Sequence, residues 1–93
     1  MRDSVGSCSE DVTIVNESGL HARSAASIAR VARHARFGVR IRKGNEGANA
    51  KDVMDVLSLA CQKGSVVTIS IENPSDKDVL IQLVTLVQNG FGE

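Results

Sequence analysis

Residues 12–32, VTIVNESGLHARSAASIARVA, contain a strand, a turn and the beginning of a helix in immediate succession. The β-branched run at residues 12–15 is typical of a strand, and the turn residues at 16–19 end it. After Gly19 the apolar residues recur at helical spacing, at Ala25, Ile28, Ala29, Ala32 and Ala35. The stretch therefore predicts a strand followed by an amphipathic helix, with a basic outer side that carries Arg23, Ser27, Arg30 and His34.

Downstream of this unit the pattern predicts further strands and helices in alternation. Phe37, Val39 and Ile41 alternate with more polar residues and predict a strand, a short strand is indicated over residues 48–50, and another is predicted over residues 67–71. Helical spacing recurs over residues 53–60 and again over residues 79–87. Ser75 and Asp78 are spaced as a capping box that opens the last helix.

The predicted order of elements is β-α-β-β-α-β-α. The strands are short and few, so helices cannot cover both faces of their sheet. We therefore expect an α+β fold in which a four-stranded, mostly antiparallel sheet carries three helices on one face.

Composition limits the function classes that the chain fits. A length of 93 residues suits one domain, and we expect a flexible leader over residues 1–10 and a folded domain over residues 11–93. The 11 basic residues balance 11 acidic ones, so nothing requires nucleic acid or an anionic membrane as partner. Without a membrane-spanning or secretion pattern we expect a cytoplasmic protein. Cys8, in the leader, and Cys61 are expected to be free thiols, with no metal site.

His21 is the candidate reactive residue. It follows Gly19 where the first helix begins, so its ring lies beside backbone N–H groups that have no partner within the helix. Those donors and the positive helix end stabilise a phosphate and favour the neutral, nucleophilic imidazole. Arg23 adds a planar donor fork for phosphate oxygens, and Arg30 and Arg33 extend a basic patch that attracts an acidic partner. On position alone, a histidine at a helix start is more often a solvent-exposed cap or turn residue than a nucleophile.

Three blocks of this sequence resemble the HPr family, the histidine-containing phosphocarriers of the bacterial sugar phosphotransferase system. The run at residues 19–26, GLHARSAA, is similar to the active-site signature Gly-Leu-His-Ala-Arg-Pro-Ala. Residues 50–60, AKDVMDVLSLA, resemble the regulatory-site segment, and the ending at residues 90–93, GFGE, is also typical of the family. The likeness extends over nearly all of residues 11–93.

The resemblance implies an open-faced β-sandwich and a stoichiometric carrier without a cofactor. Enzyme I, which draws its phosphoryl group from phosphoenolpyruvate, would phosphorylate His21 on Nδ1. His21 would then pass the group to the A component of a sugar permease or to a related acceptor. Arg23 would steady the phosphate together with the helix start at Ala22 and Ser24. An apolar patch of Leu20, Met54 and Leu57 would dock both partners, and the protein would act as a monomer. On pattern alone, Met54 could equally fill a gap in the core.

Two residues depart from the family pattern. Ser24 replaces the usual proline, which restores a backbone donor and is expected to loosen the first helical turn. Asp52 stands where many relatives carry a serine that a kinase phosphorylates, so we expect no regulation of that type. Asp52 either caps the second helix, which is the favoured interpretation, or acts as a permanent partial mimic of phosphoserine.

Two alternative functions compete with the carrier. The departures at Ser24 and Asp52 fit a regulatory binding module that docks to enzymes or transcription factors and controls carbon or nitrogen metabolism instead of sugar uptake. The basic face of the first helix could instead bind RNA. The chain has no Trp or Tyr and only two Phe to stack on bases, which disfavours RNA.

Overall fold

The computed structural model describes residues 8–93 and has the predicted order of elements. The strands are β1 (Ser9–Thr13), β2 (Val39–Lys43), β3 (Glu46–Asn49) and β4 (Val66–Ile71), and the helices are α1 (Ala22–Ala32), α2 (Val53–Leu57) and α3 (Lys77–Gln88). The strands pair antiparallel in the order β1-β4-β2-β3. Short 3₁₀ turns over Pro74–Asp76 and Gly90–Gly92 precede and follow α3.

The core lies between one face of this sheet and the helices. In β2 and β4 alternate residues are buried and their neighbours are exposed or half-buried, as in a sheet that is covered on one side only. The buried strand residues are Val12, Val39, Ile41, Ala48, Val67, Ile69 and Ile71. Helix α1 buries Ala25, Ile28, Ala29 and Ala32, and α3 buries Val79, Leu80, Leu83 and Val87. The predicted α+β class, with three helices over one face of an open sheet, is confirmed.

The first strand begins earlier than the sequence pattern indicates. Ser9 pairs opposite Ser70, and the carbonyl of Cys8 accepts a hydrogen bond from the backbone N–H of Ile71 at 2.8 Å. The predictions that order begins near Asp11 and that Cys8 belongs to a mobile leader are therefore wrong. The start of an exposed edge strand is fixed by its backbone pairing, which leaves no apolar alternation to detect. The rest of the predicted leader, residues 1–7, lies outside the described residues.

The second helix is shorter than predicted. It ends at Leu57, and Ala60 has a left-handed backbone with a φ of 52° and an exposed side chain instead of a place on the buried stripe. Leu59 is buried in its place. Phe37 was expected on the buried face of a strand, but it precedes β2 and is exposed. Both errors occur at element ends, where tertiary packing overrides the local period.

The two cysteines are free thiols, as predicted. Cys61 is buried in the core, and this burial raises the pKa of its thiol. Cys8 is half-buried and packs against the same core.

The last helix does not begin with the predicted capping box. Asn73 instead caps the preceding 3₁₀ turn, because its Oδ1 accepts a hydrogen bond from the backbone N–H of Ser75 at 2.9 Å. Asp76 is buried although it stands at the start of α3, and it accepts hydrogen bonds from the backbone N–H groups of Arg36 (3.0 Å) and Phe37 (2.9 Å). This carboxylate therefore holds the loop between α1 and β2 against the start of α3.

We expect Asp76 to make the fold sensitive to acid. The backbone N–H of Arg36 is the main reason that the pKa of Asp76 lies below its ordinary value of 3.8. The unfolded chain therefore binds more protons between the two values, so stability falls as the pH drops through that interval. Asp76→Asn should lower stability at neutral pH, because its amide leaves one backbone donor unpaired, and should weaken this acid dependence. Urea unfolding of both proteins over an acidic pH series measures this, and parallel pH profiles would contradict it.

Candidate functional site

His21 is the residue that caps the N-terminus of α1. Its backbone is extended, with φ of −131° and ψ of −177°, so the ring lies beside the first turn of the helix. The backbone N–H of Arg23 donates to His21 Nδ1 at 3.2 Å. The side chain is 34% exposed, which leaves the ring accessible to a partner protein. The predicted position of His21 at the helix start is thus what the structure has.

Ser24 fixes the backbone around this histidine. Its side chain is buried, and its Oγ accepts a hydrogen bond from the backbone N–H of His21 at 2.9 Å. The same hydroxyl lies 3.1 Å from the carbonyl oxygen of Gly19, to which it donates. The serine was expected to loosen the first turn, but the structure shows a capping bond that restrains it.

Glu93 holds the other side of the imidazole. Its Oε2 lies 2.6 Å from His21 Nε2. Because a backbone N–H can only donate, Nδ1 must accept the bond from Arg23, and a neutral ring then carries its proton on Nε2. That proton is donated to the carboxylate of Glu93. The arrangement selects the tautomer in which Nδ1 is unprotonated, and its electron pair, which accepts the Arg23 N–H, lies at the positive end of the helix.

Asn16 holds Glu93 in turn. Its Nδ2 donates to Glu93 Oε1 at 3.0 Å and to the carbonyl oxygen of Gly19 at 2.9 Å. The hydrogen bonds from His21 and from Asn16, in that order, lower the pKa of Glu93 from its ordinary value of 4.5. The carboxylate is therefore ionised at neutral pH and available to accept the Nε2 proton.

Glycine is required at position 19, in the turn that precedes His21. Its φ is +62°, and a Cβ at this position would lie 2.5 Å from the carbonyl oxygen of Cys61. That oxygen accepts a hydrogen bond from the backbone N–H of Leu20 at 2.9 Å. The loop before His21 is thus pressed against the segment after α2, and only glycine fits there.

We expect Gly19→Ala to reduce the free energy of unfolding by about 2–4 kcal/mol, since it adds a backbone clash to left-handed strain. Gly44→Ala is the matched control, because Gly44 has a similar φ of +60° but no atom within 4 Å of an added Cβ. The control should cost only about 1–2 kcal/mol. Urea unfolding measures both, and equal losses would contradict the close contact with Cys61.

The predicted docking residues differ in how much surface they offer. Met54 is 73% exposed and so does not fill a core gap, whereas Leu57 is half-buried. Leu20 is only 8% exposed and belongs to the core, so it offers little apolar surface. Arg30 on α1 and Arg33, the residue just after its C-terminal end, are both exposed, and Arg33 Nε donates to the carbonyl oxygen of Lys51 at 2.9 Å.

The remaining predicted positions lie at helix starts. Ala22 and Arg23 are exposed in the first turn of α1. Asp52 caps α2, because its Oδ1 accepts a hydrogen bond from the backbone N–H of Asp55 at 3.2 Å. This bond supports the capping interpretation of Asp52, and the phosphoserine mimic stays a hypothesis.

Sequence reasoning missed both Glu93 and Asn16. Asn16 was assigned only to a turn, and Glu93 was noted only as part of a typical ending. The two side chains meet across 77 positions of sequence, and Glu93 meets His21 across 72. No local pattern encodes such contacts, because they depend on where the end of α3 packs.

Other site types receive no support within the described part of the chain. Among residues 8–93 no three His, Cys, Asp or Glu side chains come together in a way that could hold a metal ion. None of the helices in this part of the chain combines the length and apolar character that crossing a bilayer requires.

Comparison with known proteins shows which protein family the chain resembles. The family model for the PTS HPr component phosphorylation site matches residues 8–89. The phosphocarrier protein HPr of Cupriavidus necator is 35% identical over 83 residues, which cover 89% of this chain and 93% of the relative. HPr of Pseudomonas aeruginosa is 36% identical over 84 residues, with coverages of 89% and 93%.

Solved structures agree with these relatives. The crystal structure of HPr-C-His from Thermoanaerobacter tengcongensis superposes with a TM-score of 0.85 at 34% identity, and covers 91% of this chain and 96% of that one. The comparisons support a phosphocarrier role and give no support to the regulatory alternative. The chain therefore belongs to the HPr family, the phosphocarrier proteins of the phosphotransferase system.

Proposed function

We propose that His21 accepts a phosphoryl group on Nδ1 from enzyme I, which draws it from phosphoenolpyruvate, and passes it to the A component of a sugar permease. One observation carries this proposal. Nδ1 is the ring nitrogen that lies at the N-terminus of α1, and Nε2 donates its proton in a hydrogen bond to Glu93. An imidazole held in this way has its reactive electron pair where a phosphate is stabilised.

The acceptance step follows from this arrangement. The Nδ1 electron pair gives up its hydrogen bond with the backbone N–H of Arg23 and forms a bond to phosphorus, while the bond from phosphorus to the donor's leaving atom breaks and that atom keeps the electron pair. The ring retains its Nε2 proton and gains positive charge. Glu93 Oε2, at 2.6 Å from Nε2, stabilises that charge. Delivery to the acceptor reverses the step, so the same carboxylate serves both directions.

The first turn of α1 supplies the phosphate contacts in this proposal. The backbone N–H groups of Ala22, Arg23 and Ser24 are first-turn donors without carbonyl partners within the helix, and Arg23 N already points at Nδ1. When Nδ1 is phosphorylated, these donors face the phosphate oxygens. The exposed guanidinium of Arg23 adds a charged donor fork that can bind two of those oxygens.

Enzyme I and the permease component dock in turn on one surface in this proposal. Met54 provides the apolar contact with a smaller share from Leu57, and Arg30 and Arg33 attract acidic partner residues. We propose that the carrier works as a monomer, because each partner must reach the same histidine. A crystal structure of an HPr dimer from Thermoanaerobacter tengcongensis, 35% identical with a TM-score of 0.73, makes solution mass by light scattering the relevant check.

Incubation with enzyme I and phosphoenolpyruvate tests the proposed function. The expected product carries one phosphoryl group that is labile in acid and stable in base, as a phosphohistidine is. Rescue of sugar uptake in cells that lack their own carrier tests delivery. A protein that acquires no acid-labile phosphate would contradict the proposal.

A further inference from the structure

We propose that Asn16 is a positioning residue for phosphoryl transfer, which acts by holding the Glu93 carboxylate against the imidazole of His21. This inference rests on the proposed function of His21 and adds a residue to its machinery. It derives from a chain of two contacts, from Asn16 Nδ2 to Glu93 Oε1 at 3.0 Å and from Glu93 Oε2 to His21 Nε2 at 2.6 Å.

The orientation of the Asn16 amide follows from its partners. Nδ2 lies 3.0 Å from a carboxylate oxygen of Glu93 and 2.9 Å from the carbonyl oxygen of Gly19. Both partners can only accept, so the NH₂ group must face them and Oδ1 must face away. Each Nδ2 proton has one acceptor. The amide therefore connects the turn before His21 to the carboxylate behind the ring.

The other half of the amide argues against a purely structural role. Asn16 is only 6% exposed, and among residues 8–93 no donor reaches its buried Oδ1. A buried acceptor without a partner destabilises a fold, so an apolar side chain would suit this position better for stability alone. Residues that break such rules are expected at functional sites. The feature that an apolar residue could not supply is the NH₂ group toward Glu93.

Glu93 needs such a partner because it is poorly restrained otherwise. It follows the 3₁₀ turn Gly90–Gly92, its side chain is 29% exposed, and it has a long side chain with several rotamers. Asn16 fixes one carboxylate oxygen and leaves the other toward Nε2. Without the amide, Glu93 can turn toward solvent, and the ring can then place its proton on Nδ1, the nitrogen that must attack phosphorus.

The chain of contacts from Asn16 through Glu93 to His21 is called the relay below, and a double-mutant cycle tests it. Rates of phosphorylation by enzyme I and phosphoenolpyruvate are measured at limiting carrier concentration. Asn16→Ala should slow phosphorylation about tenfold, the effect of losing one orienting hydrogen bond to a charged group. In the Glu93→Ala background, Asn16→Ala should add almost nothing, because the residue through which it acts is gone. Effects that multiply in the double variant would overturn the proposal.

A spectroscopic readout separates positioning from folding. Nitrogen NMR of isotope-labelled histidine should show His21 protonated on Nε2 in the parent protein and a mixture of tautomers in Asn16→Ala. Asn73→Ala is the matched control, since it removes an asparagine cap in another part of the chain. It should lower stability and leave both the rate and the His21 tautomer unchanged. An unaltered His21 spectrum in Asn16→Ala would count against the relay.

The outcomes also distinguish this inference from the proposed function. If the parent protein takes up no phosphoryl group on His21, the proposed function fails and the relay fails with it. If the parent is phosphorylated on His21 and Asn16→Ala reacts at the same rate, only the role of Asn16 is rejected.

Discussion

Replacement of the site imidazole by His21→Ala is expected to abolish phosphoryl uptake from enzyme I, with a loss of at least about 1,000-fold in rate. The physical reason is that no other nucleophile stands at the N-terminus of α1 in the described chain. Ser24, the nearest hydroxyl in the first turn, is buried and already bonded to backbone groups. Covalent carriers lose nearly all activity when the reacting atom is removed. Radiolabelled phosphoenolpyruvate and gel autoradiography measure the incorporated phosphate.

His34→Ala is the matched control for this variant. His34 is also exposed, but it lies just beyond the C-terminal end of α1, away from the helix-start donors. Its replacement should leave labelling at the parent level. Full labelling of His21→Ala, or loss of labelling in His34→Ala, would show that the phosphoryl group is carried elsewhere.

A charge at the exposed apolar position of α2 is expected to have the second-largest effect. Met54→Asp should lower kcat/KM for phosphorylation by enzyme I about 30-fold or more. An apolar side chain that becomes buried at the centre of a protein interface typically contributes about 2 kcal/mol or more to binding, which corresponds to about this factor. The side chain is 73% exposed in the free protein, so its replacement should not disturb the core. Initial rates over a series of carrier concentrations measure the effect, which should be a higher KM.

The matched control is Ile81→Asp, which places the same charge at another exposed apolar residue, on the outer side of α3. Its kcat/KM should stay close to that of the parent. Equal losses for the two variants would show that added negative charge, and not the loss of a Met54 contact, weakens the reaction with enzyme I.

Sequence periodicity predicted most of the fold because burial on one face leaves a regular trace. The alternation Val67, Ile69, Ile71 and the helical spacing in α1 and α3 are both direct consequences of packing against one core. The boundaries were less accurate. Ser9 pairs through its backbone on an edge strand, and the left-handed Ala60 shortens α2, so neither leaves an apolar pattern to follow.

The residues of the candidate site likewise differ in whether the sequence could predict them. His21, Arg23 and Ser24 could be proposed from sequence because their roles depend on a helix start that is itself local. Glu93 and Asn16 could not, since Glu93 meets both His21 and Asn16 only after α3 has packed beside β1. Asp76 was missed for a related reason. Its partners are backbone donors of a distant loop, and no residue type in the sequence marks them.

The most direct test of the central claim is a phosphorus–nitrogen correlated NMR spectrum of the protein, labelled in its histidines and phosphorylated by enzyme I with phosphoenolpyruvate. The account predicts one phosphorus resonance, coupled to Nδ1 of His21, with the remaining ring proton on Nε2 near Glu93. A phosphorus coupled to Nε2 of His21, or to either nitrogen of His34, would contradict it.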